Sequence, residues 1–276
     1  MAPGQVWLLV ADRDADAVFR YDAATGEYLD LVATGAAIGA ERPSSVRLGP
    51  DGFLYVIGFE RAAVARLRLE GGAAAELFFR DSSVLEEPVE LLFRGGDVVV
   101  LGNDTRNAVV VGPDGALATD FGYPDMRAAH DFLLAPDDLL YVGIDSHPAF
   151  GTSIQVWDPA ARARVADFGQ LDDIASATGL ALGPDGLLYA CDSYRDQVLS
   201  FDRATGRLAS VVVDGSAATL QGPVSLDFAP DGTLFVIDEL GVAVIDPNTG
   251  AVVSRLIEVG DGHLVRPRNL TFLPAI

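Results

Sequence analysis

Residues 182–213 read LGPDGLLYACDSYRDQVLSFDRATGRLASVVV, and this order of turns and apolar runs recurs along the chain. Gly183-Pro184-Asp185-Gly186 is a tight-turn sequence, followed by an apolar run to Cys191. A polar loop opens at Asp192, a second run covers Val198 to Phe201, a second turn covers Asp202 to Gly206, and a third run covers Leu208 to Val213. Short apolar runs punctuated by Gly, Pro and Asp predict antiparallel strands.

The register of the first turn sets the repeat. It reads Gly49-Pro50-Asp51-Gly52, Arg94-Gly95-Gly96-Asp97, Ala135-Pro136-Asp137-Asp138, Gly183-Pro184-Asp185-Gly186 and Ala229-Pro230-Asp231-Gly232. The markers Pro50, Gly95, Pro136, Pro184 and Pro230 are therefore 41 to 48 residues apart. The similar sequence from Gly112 to Gly115 falls where other copies carry their second turn, as in Asp22 to Gly26, Asp202 to Gly206 and Asp246 to Gly250. Four strands in such a period make one propeller blade.

Five copies are complete, at 42–87, 88–128, 129–175, 176–221 and 222–265. The tail, 266–276, reads as a first strand alone, and residues 5–41 hold a second, third and fourth strand without a first. Joined, they make a sixth blade and leave no free sheet between the chain ends. The expectation is an all-β chain, one six-bladed β-propeller domain over 1–276, closed by pairing of the C-terminal strand with the N-terminal blade. Two rows support the count. Val46, Leu91, Phe132, Leu180, Leu226 and Leu270 lie four residues before each marker. Leu48, Phe93, Leu134, Leu182, Phe228 and Phe272 lie two before. Both rows predict packing between neighbouring blades.

Half of the 276 residues are hydrophobic, ample for such a core, yet the formal net charge is −21. All nineteen basic residues are arginine. Nucleic acid is excluded as a partner, because its phosphates would meet a negative field. Lysine Schiff-base chemistry is excluded outright. The opening MAPGQVWLLVADRD lacks a basic start and reaches Asp12 too soon for a signal peptide. No apolar run approaches a membrane span. The expectation is a cytoplasmic protein without membrane contact, monomeric by default. Cys191, the single cysteine, ends an apolar strand and reads as core.

The pattern Pro-x-x-hydrophobic-x-hydrophobic-x-Pro-Asp-Gly-x-Leu-Tyr-Val-x-Asp, with a later Phe/Tyr-Asp and Thr-Gly turn, resembles NHL-repeat propellers. These shade into the gluconolactonase, strictosidine-synthase and virginiamycin B lyase-like enzymes. The resemblance covers the whole chain and implies the fold more than an activity. Gluconolactonase-like enzymes hold a divalent cation with a Glu, an Asn and an Asp from different blades. The matching place here is Thr178 before Gly179, a poor ligand, with Glu87 before Pro88 standing alone. The resemblance also implies that the Asp at positions 12, 192 and 238 ties its loop to its own backbone.

Polar residues gather five and six positions before each marker: Ser45, Glu90, Asp131, Gly179, Ser225 and Asn269; then Ser44, Val89, His130, Thr178, Val224 and Arg268. His130, Asp131 and Glu90 are the candidate catalytic residues, with histidine as general base. Glu90, Asp131 and Asn269 are also candidate oxygen ligands for calcium or magnesium. Zinc ranks behind them. His130, His147 and His263 fall on one face by register, but without a ligand spacing such as His-x-His. Three consecutive blades lack the loop Asp and carry the odd loops 59–61, 103–106 and 145–151. Departures from a regular scaffold are where function concentrates. Candidate ligand-binding residues are therefore Asn103, Asp145 and His147 from those loops, Tyr194 and Arg195 from the next blade, and Thr178, Arg268 and Asn269 at the strand starts. Arg266 and Arg268 could orient a carboxylate or phosphate.

The expected function is binding of a small molecule or peptide at the mouth of the central channel. The alternatives are a lyase or lactone/ester hydrolase using the His/Asp/Glu/Asn cluster, metal-assisted or not, and a protein-interaction scaffold. No phosphate loop, Gly-x-Ser-x-Gly elbow, Cys-x-x-Cys or His-Glu-x-x-His is present.

Overall fold

The computed structural model describes residues 5–69, 74–122, 126, 128–144, 152–170, 172–217, 219–261 and 263–274. The strands are β1 (Val6–Asp12), β2 (Ala17–Asp22), β3 (Tyr28–Thr34), β4 (Pro43–Leu48), β5 (Leu54–Gly58), β6 (Ala63–Leu67), β7 (Glu76–Arg80) and β8 (Pro88–Arg94). They continue as β9 (Asp97–Gly102), β10 (Asn107–Val111), β11 (Leu117–Phe121), β12 (Ala129–Leu134), β13 (Leu140–Ile144), β14 (Thr152–Asp158), β15 (Ala163–Gln170) and β16 (Ala177–Leu182). The last eight are β17 (Leu188–Asp192), β18 (Gln197–Phe201), β19 (Leu208–Val213), β20 (Ser225–Phe228), β21 (Leu234–Asp238), β22 (Gly241–Ile245), β23 (Val252–Glu258) and β24 (Pro267–Pro274).

They form six four-stranded sheets, five of consecutive strands and one in the order β24-β1-β2-β3. This is a six-bladed β-propeller. The expected join is present. β24 runs antiparallel to β1, from Val6 opposite Pro274 to Asp12 opposite Pro267.

Local chemistry explains the turns. Asp51 accepts from Phe53 N–H and from the Tyr55 hydroxyl at 2.9 Å, and Asp185 does the same for Leu187 and Tyr189. The Tyr after each such turn is thus a clasp as well as a core ring. Gly52 sits at φ 78°, a region closed to most side chains. The second turns use Asp22 and Asp202, each accepting from the Thr backbone N–H and hydroxyl three residues on.

The chain divides into two compact units, Met1–Asp120 with Leu256–Ile276, and Phe121–Arg255. In the first, apolar clusters fill the space between adjacent sheets: Leu9, Val18, Val46 and Val56 in one, Tyr55, Val64, Leu91 and Val100 in the next. In the second, Tyr141, Leu180, Leu188 and Phe201 form one cluster, and Tyr189, Leu226, Val236 and Ile245 another. The row from Val46 to Leu270 is buried throughout. The row from Leu48 to Phe272 is not: Leu48 is 43% exposed and its five counterparts are half-buried. Phe93 and Phe228 still pack on the preceding blade, edge-on to Tyr55 and Tyr189 at 5.1 and 4.9 Å between ring centres.

Each sheet ends in an outermost strand with a large apolar side chain open to solvent: Leu29 and Leu31, Leu77, Leu117, Val165, Val211 and Val253. Cys191 is fully buried, and burial pushes its thiol well up from its ordinary value. No helix among the described residues is long and apolar enough to cross a membrane.

Removal of residues 266–276 should abolish cooperative unfolding. Leu270→Ala should cost about 2–5 kcal/mol in urea denaturation, against about 0.5 kcal/mol or less for exposed Leu117→Ala. Equal costs would contradict the join. In the native protein Cys191 should resist a thiol reagent and react only on unfolding.

Candidate functional site

The first strands do not enter their sheets smoothly. The pairing register slips between Pro43 and Ser45, Pro88 and Glu90, Ala129 and Asp131, and Ala177 and Gly179. Ser44, Val89, His130 and Thr178 are the extra residues. In β24 the same slip leaves Arg268 extra, between Pro267 and Asn269. A bulge re-aims its side chain and sharpens the local twist. Repetition at one register makes this a property of the scaffold. Sequence rows placed those residues in one register, all polar but Val89, and carried no sign of the bulge. Two bulge hydroxyls donate to the next blade: Ser44 to Pro88 O and Thr178 to Pro223 O, both at 2.8 Å. Thr178 is buried and thereby engaged in the scaffold.

The adjacent row is a set of inter-blade bonds. Glu90 accepts from the Ser45 hydroxyl, from Leu91 N–H at 2.8 Å, from Asn269 Nδ2 at 2.7 Å and from Arg47 Nη2 at 2.9 Å. A carboxylate has about four lone-pair sites, so this one is well filled. Asn269 Oδ1 accepts from Val46 N–H and Arg47 Nη1, both at 3.1 Å. Thus Glu90 and Asn269 meet in a buried network that also takes in Arg47, which the polar rows do not mark. Asp131 belongs to the second unit. It accepts from Phe132 N–H at 2.7 Å and Leu180 N–H at 2.6 Å. First strands are sheet edges, and these side chains supply acceptors for edge donors that lack a strand partner. Among the described residues no group of three His, Cys, Asp or Glu could hold a metal.

Of the other candidates, His130 is a half-buried bulge residue. Tyr194 is 83% exposed. Arg195 Nη1 donates to Asp172 O at 3.3 Å and lies 3.8 Å from Asp192. Asn103 N–H donates to Glu87 O at 3.2 Å. Asp145 and His147 lie outside the described residues. The loop aspartates do bond their own backbone: Asp12, Asp192 and Asp238 each accept from the second and third residues that follow.

An open cleft of about 620 Å³ lies in the first unit, between the blades 42–87 and 88–128, the second and third counted from the N-terminus. Phe59, Glu60, Arg61 and Ala62 come from one odd loop and Asp104 from another; Arg42, Arg80, Ser82, Glu86 and Glu87 complete the lining. Arg42 and Glu87 stand at the same register, eight residues before their markers, at φ 55° and 46°. Ala128 and Gly222 share that register and that conformation. Only glycine takes it freely. The cleft interleaves both signs of charge. Arg61 pairs with Glu41 at 3.1 Å, and Arg80 donates to Gly39 O.

No family model matches the sequence, and no curated protein does. Solved structures do match along the chain. A chain of a nidogen/laminin complex superposes with TM-score 0.75 at 14% identity, over 97% of this chain and 98% of that one. A protein provisionally assigned as a 6-phosphogluconolactonase from Bacteroides fragilis gives 0.64 at 16%, over 98% of both. Virginiamycin B lyase from Staphylococcus aureus gives 0.65 at 11%, over 89% of this chain and 82% of the lyase. At these identities the likeness is one of fold, a fold shared with lactonase-like and lyase propellers.

Glu90→Ala strands Arg47 and three other donors and should cost on the order of 3 kcal/mol. Asp131→Ala should cost about 1–3 kcal/mol through Leu180 N–H. Tyr194→Ala should stay within about 0.5 kcal/mol. Urea melts decide, and a neutral Glu90→Ala would show that the network is not structural.

Proposed function

We propose that this propeller binds a small molecule in the cleft between its second and third blades. The observation that carries the proposal is the lining. Side chains from two irregular loops converge there with Arg42 and Glu87, both held in a backbone conformation that their residue types disfavour. Ala128 and Gly222 hold the same conformation at that register, so the scaffold sets the backbone, and at Arg42 and Glu87 it carries a charged side chain into the cleft lining. The volume suits a small molecule, which supports that occupant over a peptide. The alternating charges suit a ligand that bears both acceptors and donors.

An enzymatic reading, lyase or lactone/ester hydrolase, rests on His130, which a bulge re-aims, and on the fold shared with a lyase. Its intended partners argue against it. Asp131 and Glu90 already accept backbone and side-chain hydrogen bonds, so neither is available as a base or ligand without breaking an inter-blade contact. A resident calcium, magnesium or zinc ion finds no support in the same residues. A role as a protein-interaction scaffold would call for an apolar patch on the loop face, and the cleft lining is mostly charged.

A thermal-shift screen of small polar metabolites should give hits whose stabilisation falls about tenfold in affinity with the double variant Arg61→Ala/Asp104→Ala. The same hits should persist in His130→Ala. Turnover of a hit that disappears in His130→Ala, with folding intact, would replace the binding reading with the catalytic one.

A further inference from the structure

Beside the cleft the acidic chain gathers cations. Arg42 Nη2 lies 3.0 Å from Asp14 Oδ1, and Arg266 Nη1 lies 3.8 Å from Asp14 Oδ2, so two arginines share one carboxylate. Arg13 is next in sequence, and its backbone N–H donates to Arg266 O at 3.2 Å. Its guanidinium stacks 3.7 Å above the Phe59 ring, at the cleft wall. Arg13 Nε is buried and makes no hydrogen bond.

Apart from Asp14, the carboxylates nearby make their hydrogen bonds and ion pair with other donors. Asp12 accepts from the backbone N–H groups of Asp14, Ala15, Val265 and Arg266. Asp16 accepts from those of Ala36 and Arg42. Glu41 pairs with Arg61 through Oε1, and its Oε2 is buried without a hydrogen bond. Burial, then Arg268, Arg266 and Arg42 in that order, pull Arg13 below its ordinary value, and Asp14 opposes them. Because a guanidinium stays charged in proteins, that crowding carries a standing cost.

The geometry points to a phosphoryl-binding site formed by Arg13, Arg42 and Arg266, with Arg268 adding its charge. Guanidinium forks match phosphate oxygens in pairs. Several cations around a single shared carboxylate suit a dianion better than a monoanionic carboxylate. Arg42 and Phe59 belong to both the site and the cleft, so the phosphoryl group would be one end of the bound molecule. This part rests on the cleft reading above, whereas the anion site itself does not.

The test titrates inorganic phosphate, phenyl phosphate and benzoate into the full chain by calorimetry at constant ionic strength. Phosphate should bind. Arg266→Met, at an exposed position, and Arg13→Met should each weaken it about tenfold, while Asp14→Asn should strengthen it several-fold by removing the competing carboxylate. Phenyl phosphate should bind more tightly than phosphate if the cleft takes the rest of the ligand. Equal affinity for the two would remove the cleft from the argument and leave the anion site. Phosphate binding that is absent, or indifferent to Arg266→Met and Asp14→Asn, would overturn the proposal. Benzoate binding as tightly as phenyl phosphate would overturn the choice of a phosphoryl group.

Discussion

The hydrogen bond from Leu180 N–H to Asp131, 2.6 Å long and crossing from one blade to the next, represents the constraint on which this structure depends. Every blade begins with an edge strand. An edge strand has backbone donors without sheet partners, and burial makes each a liability. Asp131 and Asn269 supply the missing acceptors from the preceding blade, and Glu90 supplies its own neighbour, Leu91, while gathering Ser45, Arg47 and Asn269. Polar residues at the strand starts are thus a condition of packing the blades. This is why a row that looks like an active site in the sequence behaves as a seam.

Legibility in the sequence followed the range of the forces. Turns were readable because their chemistry is local: Asp202 bonds Thr205, three residues away, and Gly206 supplies positive φ. Blade order and the β1–β24 join were readable because the Val46-to-Leu270 row repeats with the period. The bulges at Ser44, His130, Thr178 and Arg268 were not, since a slip of one residue leaves the pattern of residue types unchanged. Nor was the difference between a catalytic and a bridging carboxylate. It depends on what stands opposite Glu90, and Asn269 comes from the far end of the chain. Arg266 and Arg268 were legible as possible anion partners, but Arg13 and Arg42 were not, for the same reason. Arg13 follows the loop aspartate like any variable residue, and only the fold brings it against Phe59 and Arg266.

The left-handed residues at the strand entries join scaffold to site. Gly222 takes this conformation without strain, while Arg42 and Glu87 take it with a long charged side chain directed to the cleft. The backbone demand is common to several blades, but only here is it met by residues that could engage a ligand. A regular scaffold with irregular side chains at fixed strained positions is how one fold acquires a particular surface.

The outermost strands present a different problem. Six exposed edges, each bearing a Leu or Val, are templates for pairing with other molecules. Inward lysines, one usual deterrent, are not available to a chain that has no lysine. Its formal charge of −21 provides mutual repulsion instead. Colloidal stability therefore resides in the whole surface, not in any one edge, and it fades together at all six as acid neutralises the carboxylates.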